Sequence, residues 1–111
     1  MKVIGRSDTG RVRPTNQDAF VCGELSDTTC FAVVCDGMGG ANGGNVASEL
    51  AVRTLDASLS SGYDGASRSR SVETLLRKAI RHTNETVFSV SLKDEGLRGM
   101  GTTVVMAYIV D

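Results

Sequence analysis

The stretch Phe31 to Gly44, FAVVCDGMGGANGG, sets the tightest limit on what this chain folds into. Its first five residues are apolar, rich in β-branched types and short enough for a buried strand, and the run stops at an acidic residue followed by glycines. The pattern predicts Asp36 at a strand terminus. Gly37, Gly39, Gly40, Gly43 and Gly44 leave little side-chain bulk around that carboxylate, so backbone groups can approach a cation or a phosphate closely. A loop so bare costs conformational entropy, a cost easier to explain at a binding site than at a plain connector.

The flanks supply partners for this segment. Residues 2–8 have the character of a first strand, punctuated by Thr9-Gly10, and Pro14, the only proline, biases Arg13 towards an extended backbone. A second strand is expected over Ala19 to Leu25. The polar segment Ser26 to Thr29 suits a hairpin turn, which pairs that strand antiparallel with a strand over 30–35 and brings Asp18 and Asp36 to one end of the hairpin. Two carboxylates converging beside a glycine loop are what a hard divalent cation requires.

From Val46 the period changes. Ala47, Leu50, Ala51, Leu55 and Leu59 lie on one face of a helix, with Gly44 or Asn45 as its cap. Ser60 to Ser71 is polar and aperiodic and reads as a surface loop. A second helix is expected from about Ser71, where Ser71-Val-Glu-Thr approaches a capping signature. Its buried stripe is Val72, Leu75, Leu76, Ala79, Ile80, Thr83 and Val87, with Arg77, Lys78, Arg81 and Glu85 opposite. After Lys93 to Gly96 ends that helix, Thr102 to Val110 is β-branched and apolar almost throughout, which predicts a strand buried on both faces in a sheet interior.

A chain of 111 residues is about one domain. Its net charge of −1 gives no electrostatic case for nucleic acid or a membrane surface, and five aromatics (Phe20, Phe31, Phe88, Tyr63, Tyr108) make base stacking a poor prospect. No run is long enough to span a bilayer and MKVIGRSDTG lacks a signal-peptide core, so a cytoplasmic location is expected. Cys22, Cys30 and Cys35 have no Cys-x-x-Cys spacing and read as reduced core-type residues. His82, the only histidine, falls on the second helix as a surface residue.

Taken together, Arg13, suited to bidentate phosphate binding, and the carboxylates of Asp18 and Asp36 resemble a metal-assisted phosphoryl-transfer site. Arg13-Pro-Thr-Asn16-Gln17-Asp18, then Asp36-Gly37-Met38-Gly39-Gly40 with Gly44 and Ala47-Ser48 behind it, then Gly99-Met100-Gly101-Thr102-Thr103, resemble the first blocks of the type 2C metal-dependent protein phosphatases. The bacterial serine/threonine branch is the most similar, and the blocks occur in the family's order.

The resemblance implies an α+β fold, a sandwich of two antiparallel sheets flanked by helices, of which residues 1–111 are the N-terminal portion of the catalytic domain. It implies hydrolysis of phosphoserine and phosphothreonine in proteins at a binuclear Mn2+ or Mg2+ centre that activates water. Within it Asp36 bridges the metals, the Gly37 carbonyl binds one, Asp18 acts from the outer shell and Arg13 binds phosphate. The implied partners are phosphorylated proteins and a cognate serine/threonine kinase pathway.

Gln17 stands where many relatives have a glutamate, and Met38 where some have a histidine. The family's later blocks, with two further metal-binding aspartates, have no counterpart before Asp111. Weak or absent metal retention and weak or no activity are therefore expected of this chain alone, with a homodimer as one way to complete the fold. The alternative is a non-catalytic phosphopeptide- or protein-binding module on the same fold. A Rossmann-type nucleotide cradle is disfavoured, because Gly37-Met-Gly39-Gly40-Ala-Asn42 misses the final glycine and Asp36 would repel a pyrophosphate.

Overall fold

The sheet is organised around one long strand whose two ends pair with different neighbours. The computed structural model describes residues 4–5, 17–39, 43–65 and 68–111. Arg13, Asn16 and most of the strand expected over 2–8 lie outside them, and Ile4 and Gly5 carry no strand assignment. The elements are β1 (Asp18–Ser26), β2 (Thr29–Met38), α1 (Gly43–Gly62), α2 (Ser69–Ser91), a 3-10 turn (Glu95–Leu97), β3 (Gly101–Thr102) and β4 (Val105–Val110). β1 and β2 form the expected hairpin about Asp27-Thr28, with an irregularity between Glu24 and Ser26. β2 is central: β1 lies along one edge, and β4 then β3 pair antiparallel along the other.

The expected end of the second strand is corrected. β2 runs on through Asp36, Gly37 and Met38, because Gln17 on one side and Gly101-Thr102 on the other supply hydrogen-bonding partners beyond the apolar run. The last strand also differs from expectation. It is broken at Thr103-Val104, and the outward residues of β4 are exposed, with Val105 at 70% and Ile109 at 47%; only Met106 and Tyr108, facing the helices, are half-buried. Among the described residues β4 pairs with β2 alone, so it is an edge strand.

The core lies between the inner sheet face and α1. Phe31, Val33 and Cys35 of β2 meet Ala47, Ala51, Leu55 and Leu59 of α1, all essentially inaccessible. Small residues at the start of α1 let it approach β2 closely, while Leu55 and Leu59 fill the wider space beyond, each contributing about 1.5–3 kcal/mol by burial. α2 packs along α1 and buries Ala79, Thr83, Val87 and Ser91. Its expected stripe is narrower than the periodicity suggests, since Ile80 is 46% exposed.

Both helices exceed their expected bounds. α1 starts at Gly43, placing Gly44 and Asn45 inside its first turn rather than at its cap, and it runs to Gly62. α2 starts at Ser69 with Arg68 as N-cap and no side-chain cap hydrogen bond, so the Ser71 capping signature is not used. The loop expected over 60–71 shrinks accordingly. Tertiary packing of each helix face outweighs local glycine and serine preferences here.

Candidate active site

Asp18 of β1, Asp36 of β2 and Thr103, in the break between β3 and β4, form one row. Asp18 pairs directly with Asp36. Val34 pairs with Val105 and Gly37 with Thr102 in a single register, which sets Thr103 opposite Asp36. The Gly37 N–H donates to the Gln17 carbonyl at 3.0 Å, so the backbone of Gly37 points towards β1 and that of Asp36 points away from it. Asp18 and Asp36 are therefore a non-hydrogen-bonded pair, the arrangement in which opposed Cα atoms approach to about 4.5 Å and side chains share a face. Both are exposed on the outer sheet face.

Asp36 is fixed by main-chain contacts. Its carbonyl accepts from the Thr103 N–H at 2.9 Å, while its own N–H donates to Thr103 Oγ1 at 3.1 Å. In an unbroken ladder the Thr103 carbonyl would take that N–H; instead it accepts from the Thr102 hydroxyl at 2.9 Å. This side-chain substitution is the physical reason for the break between β3 and β4.

Behind the row, strand and helix touch through glycine. A Cβ at Gly37 would run into the Gly44 carbonyl, and one at Gly44 would lie 2.7 Å from Cδ and Oε1 of Gln17. Gln17 thus turns its side chain to the start of α1, on the face opposite Asp18 and Asp36. The chain leaves β2 through Gly39, whose φ of 112° belongs to glycine and whose carbonyl accepts from the Gly44 N–H at 3.2 Å. Met38, at the strand end, is 52% exposed.

Cys35 backs the row from the core. Burial pushes its thiol above the ordinary range, with a hydrogen bond to the Thr102 side chain working the other way, so it stays a protonated core residue at neutral pH. Cys22, Cys30 and Cys35 are reduced, with no disulfide among them, as expected.

Among the described residues no group of three or more His, Cys, Asp and Glu side chains is gathered to hold a metal. Asp18 and Asp36 together are two carboxylates, the hard oxygen donors that Mg2+ or Mn2+ takes, and so fit part of a coordination shell. Sequence reasoning brought these two together correctly. It gave Thr103 no role, although two threonines after a glycine turn in register with an aspartate are a signal for side-chain clamping of a ladder.

Residues 5–111 match the family model described as Protein phosphatase 2C. The chain is 38% identical over 102 residues to serine/threonine phosphatase stp of Listeria monocytogenes, covering 92% of this chain and 40% of that protein. It is 30% identical to protein phosphatase PhpP of Streptococcus pneumoniae, over 100% of this chain and 44% of that one. Among solved structures it is similar to the Staphylococcus aureus serine/threonine phosphatase Stp1 (TM-score 0.81, 30% identity, 94% of this chain and 40% of that chain). It is also similar to the Mycobacterium tuberculosis serine/threonine phosphatase PstP/Ppp (TM-score 0.74, 31% identity, 91% and 39%). The chain thus spans about two fifths of the length of these relatives. With a family model matched over nearly its whole length and the antiparallel sheet and paired helices of those structures, the chain belongs to the protein phosphatase 2C family.

Proposed function

We propose that this chain is the N-terminal portion of a catalytic domain that hydrolyses phosphoserine and phosphothreonine in proteins with the help of Mn2+ or Mg2+. The observation that carries the reading is the Asp18–Asp36–Thr103 row, with Asp36 clamped at both its N–H and its carbonyl. On this reading Asp36 and the Gly37 carbonyl hold metal, Asp18 acts from the outer shell, and Arg13 receives the phosphate. The metal supplies Lewis acidity and an activated water. The chain's own part is positional: the Thr103 clamp and the Gly37–Gly44 contact keep the Asp36 backbone from shifting as charge gathers at its carboxylate.

Gln17, turned to Gly44, supports the strand–helix junction rather than the metal. The substrates are phosphorylated proteins, products of a serine/threonine kinase pathway, met in the cytoplasm; among the described residues no helix is long and apolar enough to cross a membrane. With Asp36 as the one directly coordinating carboxylate a hard cation is held weakly, so turnover by this chain alone is expected to be slow or absent.

Manganese-dependent hydrolysis of a small aryl phosphate, lost in Asp36→Ala, tests the reading. Paramagnetic broadening by Mn2+ of the amides of residues 18 and 36–37 tests metal binding without needing activity. Phosphopeptide binding with neither broadening nor turnover points instead to a non-catalytic binding module.

A further inference from the structure

A groove of ≈ 530 Å³ lies between the C-terminal end of α1 and the N-terminal half of α2. Arg70, Thr74, Lys78 and His82 line it from α2 at four-residue intervals, so they share one helix face. Ser58 and Ser61 line it from α1 and Ser71 from α2, while the Ser61 and Thr74 hydroxyls donate to the Ser58 and Arg70 carbonyls of their own helices at 3.5 and 3.0 Å. Among the described residues neither Arg70 nor Lys78 is engaged in an ion pair; the one basic side chain of α2 so engaged is Arg77, with Glu73 at 2.9 Å. Asp64 is the one carboxylate among the lining residues, and the two cations outnumber it.

We infer that this groove binds a phosphate group carried on a polypeptide. A guanidinium, an ammonium, an imidazole and the hydroxyls of Ser58 and Ser71 around one concavity are the donors that phosphate oxygens take up, and Arg adds planar bidentate geometry. The volume exceeds what one phosphate fills, and Leu75 and Ala79 give the groove an apolar floor for the residues beside it. That composition favours a phosphopeptide over free phosphate.

The groove is remote from Asp36. α1 starts next to Gly37, and Ser58 lies roughly 22 Å along it from Gly43 at about 1.5 Å rise per residue. A phosphorylated segment held here leaves the Asp18–Asp36 row unobstructed. The inference does not depend on the phosphatase reading, since it uses none of the residues assigned to it.

The test is an amide NMR titration of the whole chain with inorganic phosphate, with a short phosphoserine peptide and with its unphosphorylated counterpart, all with EDTA present so that no divalent cation contributes. The expected result is phosphopeptide-dependent shifts at residues 58–62 and 70–82, kept in Asp36→Ala. The double variant Arg70→Glu, Lys78→Glu should weaken binding about tenfold or more, with its circular dichroism unchanged; Arg70→Gln with Lys78→Gln serves if charge reversal perturbs the helix. Equal shifts from the unphosphorylated peptide, shifts only around Asp36, response to inorganic phosphate alone, retention of affinity in both double variants, or no shifts at all would each overturn it.

Discussion

Thr103 takes the N–H of Asp36 on its side-chain hydroxyl and gives its own N–H to the carbonyl of Asp36, so one residue secures both main-chain groups of the other. The hydroxyl stands in for a backbone carbonyl at the point where the ladder would otherwise be regular. The sheet gives up some regularity, and the backbone that carries the central carboxylate is held from the break between β3 and β4 beside it.

Thr103→Val keeps the shape and removes the acceptor. The Asp36 N–H is partly solvated, so the expected loss is modest, about 0.5–1.5 kcal/mol in urea unfolding. The more specific readout is hydrogen exchange. The Asp36 amide should lose protection in Thr103→Val and regain it in Thr103→Ser, while the amides of Val33 and Phe31 remain as they were. Unchanged exchange at Asp36 would mean that the Thr103 carbonyl has simply replaced the hydroxyl.

The Gly37–Gly44 contact separates two substitutions that look alike in the sequence. Gly44→Ala places its methyl 2.7 Å from atoms of the flexible Gln17 side chain, which can move aside. The roughly 1 kcal/mol gained in helix propensity then offsets most of the crowding. Gly37→Ala meets backbone, which cannot yield without separating β2 from α1, so about 3 kcal/mol or more is expected. Denaturant midpoints should therefore rank wild type and Gly44→Ala close together and Gly37→Ala far below.

The sequence made the hairpin readable because its signals are local. Alternation on each side of Asp27-Thr28 sets the register, and register alone puts Asp18 against Asp36. The continuation of β2 through Asp36-Gly37-Met38 was not readable, since glycine has no strand preference of its own and the partners, Gln17 and Thr102, come from 20 residues before and 65 after. For the same reason α1 begins at glycines that local propensity places outside a helix. Apolar content misled at β4: Val105 and Ile109 signal burial by composition, and only the edge position of the strand shows which face is covered.

Alkaline stability should register two groups. Burial raises the Cys35 thiol from its ordinary 9.0, opposed by the Thr102 hydrogen bond, and burial, helped by Tyr63 and Asp64, raises Tyr108 from 10.0. In both, the folded state holds the proton more tightly than the unfolded chain. Their contribution is therefore complete below the unfolded-state values and is lost as pH rises through the folded ones. The urea midpoint should stay level near neutrality and decline above about pH 9. Cys35→Ala should flatten the early part of that decline and leave the later part, due to Tyr108, in place.

The outer sheet face carries the last prediction. Phe20, Val34 and Val105 form one row across three strands, exposed at 38%, 51% and 70%, and Ile109 continues the patch along β4. Gly5 lies against the Phe20 ring, so this row is only partly covered from the N-terminal side. An edge strand with outward valine and isoleucine is a template for pairing, and a second copy of the chain offers an identical strand. Light scattering should give a mass that rises above 11.7 kDa with concentration. Val105→Lys with Ile109→Lys places charge at two outward positions without touching Met106 or Tyr108 on the inner face, and should hold the chain at the monomer mass. A wild-type chain that stays monodisperse at high concentration would show that the exposed row does not drive self-association.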